Sequence, residues 1–155
     1  SMWRVEGLAV LAWALKLHPL PPHDETVVPF ELYETLGFRD VETARSIIAN
    51  AELRDTDELE QMLGVLLGVH WRVRDYSINP QAMDFVNFAK DNWFGGFDIG
   101  ATRVIDGDLA ITDHAINDAP PENVQMASSI ASERHLAINW LHGYSEIYSE
   151  TDTST

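Results

Sequence analysis

The chain has 155 residues, no cysteine, and 25 acidic residues against 10 basic ones, which gives a formal net charge of −15. Its hydrophobic fraction of 45% is enough for the core of one domain of this length. We therefore expect a single domain over residues 2–150, followed by a mobile tail over residues 151–155. The absence of cysteine excludes disulfides, thiol nucleophiles and zinc–thiolate sites.

The distribution of charge argues against nucleic acids and membranes as partners. After Tyr76 the only Lys and Arg residues are Lys90, Arg103 and Arg134, so no basic stripe can neutralise phosphates. The longest apolar stretch, residues 7–15, is about half the length of a bilayer span. An acidic surface favours a basic protein partner, and its self-repulsion favours a monomer or a weak homodimer. The lack of cysteine fits a cytoplasmic protein.

The pattern of apolar and capping residues predicts six helices. Residues 3–17 are apolar on nearly every side, which is typical of a buried central helix, and the prolines that follow end it. Asp40 is placed to cap a third helix, and Asp55 with Glu58 forms a capping box at the start of a fourth. In chain order, the predicted helices cover residues 3–17, 29–36, 41–50, 56–76, 81–93 and 120–142.

One extended region lies between the last two predicted helices. Residues 102–105 and 109–112 flank Asp106-Gly107, which is a strong signal for a two-residue hairpin turn. Because an isolated hairpin is marginally stable in water, we expect it to pack on the helices. The predicted fold class is mainly α, with α+β at the margin: a compact bundle of about six helices with one small β-hairpin near residues 102–112.

The C-terminal helix carries two charged residues at positions that we expect to be buried. Successive side chains on a helix rotate by about 100°, which places Glu133 and Arg134 on or beside an apolar stripe. The stripe consists of Ile130, Ala137, Ile138 and Leu141. A buried charge costs several kcal/mol unless it is paired and hydrogen-bonded, so both residues need partners inside the molecule.

The fourth helix and the hairpin offer candidate partners for these two charges. We expect the last helix to pack near the fourth, whose apolar stripe contains His70 with Arg74 at its edge. The candidate partners of Glu133 are His70 and Arg74, and those of Arg134 are Asp106 and Asp108.

This set of six residues has two interpretations. It is either a buried polar network that fixes the register of the helices, or the lining of a pocket for a small ligand. In a pocket, Arg134 would bind an anionic group, and Glu133 with His70 would exchange a proton.

Two further histidines occupy the opposite side of the last helix. His135 and His142 lie two turns apart, with Asn139 between them. Two turns correspond to about 10 Å of rise, which is too far for both rings to bind one metal ion. We expect exposed histidines and no metal site here.

Several segments together resemble a known family. They are residues 3–15 (WRVEGLAVLAWAL), 20–25 (LPPHDE), 70–75 (HWRVRD), 106–111 (DGDLAI) and 132–141 (SERHLAINWL). With these segments the chain resembles the DUF4272 family of uncharacterised, mostly bacterial proteins over most of residues 3–150. The last segment is the most specific. The resemblance implies no established activity.

Two classes of function follow from the sequence. The leading hypothesis is a non-enzymatic protein-interaction module that binds a basic partner, for example an immunity-type or inhibitor protein. It rests on the acidic surface and on the absence of nucleophile and metal motifs, and it implies no catalytic residue and no cofactor. The alternative is a small-molecule sensor or a hydrolase-type enzyme with a pocket around His70, Arg74, Glu133 and Arg134.

Overall fold

The structure is a computed structural model that describes residues 2–155. These residues form α1 (Arg4–Ala14), α2 (Pro29–Thr35), α3 (Val41–Ala49), α4 (Thr56–Ile78), α5 (Phe85–Lys90) and α6 (Pro121–Leu141). The strands are β1 (Val104–Ile105), β2 (Asp108–Ile111) and β3 (His114–Ala115). The prediction of a mainly α fold with six helices and a small β part is confirmed.

Helix α6 lies at the centre of the molecule, because both α1 and α4 pack along it. Ala137 and Ile138 of α6 are fully buried in one cluster with Val10 of α1 and Leu66 of α4. The small alanine side chains on α6 allow the neighbouring helices to approach closely. The expected packing of the last helix on the fourth is present.

Helix α1 ends three residues before its predicted end. Lys16 adopts a left-handed conformation with φ of 59°, and the amides of Lys16 and Leu17 donate to the carbonyls of Trp13 and Ala12. This is a Schellman motif, which ends a helix by satisfying its last carbonyl groups. The motif cannot be predicted from the sequence, since the left-handed position is occupied by lysine rather than by the usual glycine.

Helix α5 is half as long as predicted, because tertiary contacts use the backbone groups that would begin it. Gln81 O accepts a hydrogen bond from Arg72 Nη2, and Met83 N donates to Asp108 Oδ2. Asp84 then caps the helix by accepting from Asn87 N. The predicted helix over residues 81–93 therefore contracts to Phe85–Lys90.

The predicted hairpin is present and has a third strand. Asp106 and Gly107 have φ of 53° and 78°, as a type I′ turn requires, and β1, β2 and β3 pair antiparallel in that order. Leu109 and Ile111 of β2 are fully buried in a cluster with Phe85 and with residues of α4. The hairpin thus packs on the helices, as expected.

The C-terminal residues lie against α6 instead of extending away from it. Thr151 is buried, and Asn139 Nδ2 of α6 donates to Asp152 O at 2.9 Å. The expected mobility of residues 151–155 followed from the general behaviour of chain termini and stays a prediction beside this contact. None of the helices in residues 2–155 combines the length and the apolar character that a bilayer crossing requires.

Candidate functional site

Arg134 is buried, and every N–H of its guanidinium group has a partner within the chain. Its Nε and Nη2 donate to Glu6 Oε2 at 3.0 and 2.8 Å. Nη1 donates to Pro21 O and Pro22 O, and Nη2 also donates to Glu25 O. The group therefore holds α1, the loop after it and α6 together, and no donor is left for an anionic ligand.

The carboxylate of Glu6 completes this contact from the other side. It is 1% exposed, and its Oε1 accepts from Val27 N at 2.8 Å while Oε2 binds Arg134. The expected burial and pairing of Arg134 is present, but its predicted partners, Asp106 and Asp108, are wrong. Arg134 points toward Glu6 and the loop after α1, whereas Asp108 is bound by Arg72 of α4 and Asp106 lies exposed in the hairpin turn.

Asp108 pairs with Arg72, a residue that the sequence did not single out. Both side chains are buried, and Nε and Nη2 of Arg72 donate to the two carboxylate oxygens of Asp108 at 2.8 Å each. Arg72 also binds Asp75 at 3.0 Å. Asp106 is exposed in the hairpin turn. This second buried ion pair fastens the hairpin to α4.

Glu133 is half-buried and does not bind His70 or Arg74. Among residues 2–155 its carboxylate makes no hydrogen bond or ion pair. It lies near Tyr148, where burial first and then the charge of Glu133 raise the pKa of the phenol to about 12. The predicted pairing of Glu133 is therefore wrong: α6 presents this position toward the C-terminal segment and not toward α4.

His70 instead contacts His135 across the interface between α4 and α6. The two Nδ1 atoms are 2.8 Å apart, and Asn139 Nδ2 lies 3.2 Å from His135 Nε2. Because Asn139 donates to Nε2, the proton of His135 is on Nδ1 and points to the lone pair of His70 Nδ1. The pKa of both rings is lowered to about 4, chiefly by burial, with the charge of Arg74 as a second cause at His70.

The expectation that His135 and His142 are exposed is wrong, since neither ring is exposed. His135 and Asn139 are buried, and His142 is half-buried with Nδ1 at 2.9 Å from Ile138 O. The reason is that α6 is covered on both sides, by α1 and by α4, so its polar face is also inside. No cluster of three or more potential metal ligands occurs within residues 2–155.

A cleft of about 500 Å³ opens between α1, α4 and the loops over residues 20–23 and 100–103. We call it the α1–α4 cleft. Its apolar walls include Trp13, Leu20, Pro21, Met62, Val65 and Leu66. Its polar lining includes His23, Glu58, Gln61, Thr102, Arg103 and Arg134. Of the four residues of the predicted pocket, the α1–α4 cleft contains Arg134 and none of the other three.

His23 and Asp24 lie at the inner side of the α1–α4 cleft. His23 lines the cleft, and its Nε2 is 2.5 Å from Ala110 O, to which it donates. Asp24 is buried beside it and binds Arg103 and Thr112 N. Burial lowers the pKa of His23. Burial alone would raise the pKa of Asp24, but the hydrogen bonds from Arg103 and Thr112 outweigh it, so the pKa of Asp24 is lowered.

A second concave surface lies on α3, at some distance in the sequence from every predicted site residue. None of the nine residues of α3 is buried, although its sequence is amphipathic. Val41 and Ile48 are 65% and 47% exposed. With Phe38, Ala44 and Ala49 they line a groove of about 660 Å³, which we call the α3 groove.

The sequence held a signal for one of the missed residues. Glu6 is the one acidic residue in a stretch that is otherwise apolar on nearly all sides, so its burial and its need for a cation follow from the same argument that was applied to Arg134. The residues around His23 carry no such signal. They lie in a loop, where no periodicity indicates which side chains are buried.

Comparison with protein-family models, with curated protein sequences and with solved structures gives no match to this chain. Membership in the DUF4272 family therefore stays a prediction from the quoted segments.

Proposed function

We propose that this protein is a non-enzymatic interaction module that binds a basic protein segment in the α3 groove. The observation that carries the proposal is the state of α3, an amphipathic helix with no buried residue. In a monomer, apolar side chains as exposed as Val41 and Ile48 on one concave surface are typical of a protein-interaction site.

The partner is identified by the charge around the groove. Between residues 29 and 60 the chain carries nine acidic residues and three arginines. Arg39 is paired with Glu34, and Arg45 lies 3.9 Å from Glu42. The surrounding surface is therefore negative, and it favours an amphipathic helix with apolar residues on one face and Lys or Arg on the other. An inhibitor or immunity protein that covers a basic site has this kind of surface.

The geometry of the polar residues supports this function over the alternative pocket. The five N–H groups of Arg134 are all used within the chain, and His70 is engaged with His135. Arg74 is exposed, and Glu133 faces the C-terminal segment. These four side chains do not converge on a common space, which a sensor or hydrolase built on them would need.

A synthetic helical peptide with leucine on one face and lysine on the other provides a direct test. We expect saturable binding by fluorescence anisotropy, with amide shifts in NMR spectra confined to residues 38–49. The double variant Val41→Ser/Ile48→Ser should weaken binding at least about tenfold, because it removes the apolar contact and leaves the charges in place.

The matched control removes two apolar side chains that are more exposed than Val41 and Ile48 and do not line the groove. Ile78 and Trp93 are 77% and 89% exposed, and the variant Ile78→Ser/Trp93→Ser should bind the peptide like the wild type. A peptide with glutamine in place of lysine should bind more weakly at low salt. Equal binding by the two double variants, or shifts that map outside residues 38–49, would contradict the proposal.

A further inference from the structure

The α1–α4 cleft has the size and lining of a small-molecule site and is separate from the α3 groove. Its volume of about 500 Å³ lies within the range of ligand pockets, and most of its wall is apolar. Met62, Val65 and Leu66 of α4 line it together with Trp13 of α1. Sites of this kind fix a ligand by a few polar groups placed among apolar ones.

The charged residues of the cleft are all neutralised by neighbours. Arg134 pairs with Glu6 at 2.8 Å, and Glu58 pairs with Arg54 at 2.8 Å. Arg103 pairs with Asp24. A ligand that carried a charge into the cleft would lose water without meeting a free counter-charge, which is unfavourable. The cleft therefore favours an uncharged ligand, even though the protein as a whole is strongly acidic.

His23, which lines the cleft, keeps one hydrogen-bond acceptor that no group of the chain uses. Its Nε2–H is committed to Ala110 O, so Nδ1 carries the lone pair. Nδ1 has no partner among residues 2–155, and it is not one of the fully buried unpaired side-chain atoms in that range, which are Asp24 Oδ1 and Asn139 Oδ1, so it keeps some contact with solvent. Burial lowers the pKa of His23, so the ring is neutral near pH 7.

From these observations we infer that the α1–α4 cleft binds an uncharged, mainly apolar small molecule that donates one N–H or O–H hydrogen bond to His23 Nδ1. The apolar body would lie between Trp13 and the α4 side chains, and the donor would point to the loop that carries His23. This ligand site is independent of the α3 groove and of the proposed protein partner.

Indole and 1-methylindole form a matched pair of probes for this inference. Both are uncharged and planar, but 1-methylindole has lost the N–H and is more apolar. In ¹H–¹⁵N NMR titrations of the full chain, we expect indole to bind several-fold to about tenfold more tightly, because only indole can donate to His23. The shifted amides should be those of residues 61–66 and 100–103. Indole-3-acetate, which is negatively charged, should bind more weakly than indole.

Two variants separate binding in the cleft from binding elsewhere. Met62→Trp fills the cleft and should abolish indole binding, whereas Met126→Trp, on the exposed side of α6, should leave it unchanged. His23→Phe should remove the preference for indole over 1-methylindole. That variant also loses the contact to Ala110 and therefore tests the inference only if it folds. If it does not fold, the affinities of the two probes for the wild type provide the test. Equal affinity for both probes, shifts outside the cleft, or no saturable binding of indole would overturn the inference.

Discussion

At the scale of single residues, the contact between His70 and His135 makes the stability of the protein depend on pH. Both rings are buried, and in the folded state the pKa of each is about 4, against an ordinary value of 6.5. Their charged neighbours act in opposite directions: Arg74 lowers the pKa of His70, and Asp152 raises that of His135. The folded state therefore holds both rings neutral in a range where the unfolded chain binds protons.

We expect the free energy of unfolding to be unaffected by this pair above about pH 6.5 and to decrease as the pH falls from 6.5 toward 4. The sign follows because a lowered pKa in the folded state favours unfolding once the unfolded chain takes up the proton. The slope is at most about 1.4 kcal/mol per pH unit for each histidine. Urea denaturation at a series of pH values measures it.

The control for this prediction compares variants that remove histidines at buried and exposed positions. His70→Phe/His135→Phe should show a smaller loss of stability between pH 6.5 and 4, whereas His114→Gln, at an exposed position, should keep the slope of the wild type. Other buried groups, including His23, contribute equally to all three proteins. If the double Phe variant and the wild type lose stability equally, the pair does not titrate as described.

Single residues also show how far the sequence could predict the site. The burial of Arg134 and its need for a partner follow from helical periodicity, and both are present in the structure. The identity of the partner does not follow, because Glu6 is 128 residues away and nothing local indicates which segment faces Arg134. The contact of His135 with His70 was missed because it also depends on distant segments. The face of α6 that carries His135 is polar, but neighbouring helices bury it.

At the scale of secondary structure elements, the helix starts that depend on local capping residues were predicted, and the one that depends on long-range contacts was not. The caps at Asp40 and Asp55 are in place, since capping depends on residues two and three positions away. Asp40 accepts from the amides of Glu42 and Thr43, and Asp55 accepts from that of Glu58. The start of α5 was predicted wrongly, since the Arg72–Asp108 pair joins residues 36 positions apart and takes the backbone groups before it.

The substitution Arg134→Met should destabilise the protein by about 3–5 kcal/mol, because it removes the link between α1 and α6 and leaves the Glu6 carboxylate buried without a counter-charge. Urea denaturation at pH 7 measures this loss. Arg134→Lys, which keeps the charge but loses the planar fork of donors, should fall between the wild type and Arg134→Met.

The double variant Glu6→Met/Arg134→Met tests the origin of the loss. It removes both buried charges, so no charge is left without a partner. We therefore expect the double variant to lose much less free energy of unfolding than the sum of the losses in Glu6→Met and Arg134→Met. Additive effects in this cycle would show that the pair does not act as a unit, and that the carbonyl groups of the loop after α1 account for the cost instead.

At the scale of the whole molecule, the net charge of −15 opposes compactness. We expect the melting temperature to rise when NaCl is increased from about 10 mM to about 0.5 M, since salt shortens the range of repulsion between exposed carboxylates. Glu60, Glu146 and Glu150 are exposed and have no ion-pair partner among residues 2–155.

Replacing these three glutamates by glutamine is the control. The triple variant should be more stable than the wild type at low salt and should gain less from added NaCl. An equal gain in both proteins would indicate a general effect of the salt on apolar burial instead of screening. The overall charge was predictable from composition, but the α3 groove was not, because an amphipathic helix usually has its apolar face covered by the rest of the fold.

The central position of α6 has a consequence for biosynthesis. Both α1 and α4 depend on this helix for their main packing surface, yet it begins at Pro121, so the ribosome makes it after both of them. A nascent chain that has not reached it leaves the inner faces of both earlier helices unprotected, and the pairing of α1 with α6 must close a loop of more than a hundred residues. Chaperone capture of the growing polypeptide should therefore persist until α6, up to Leu141, has left the exit tunnel.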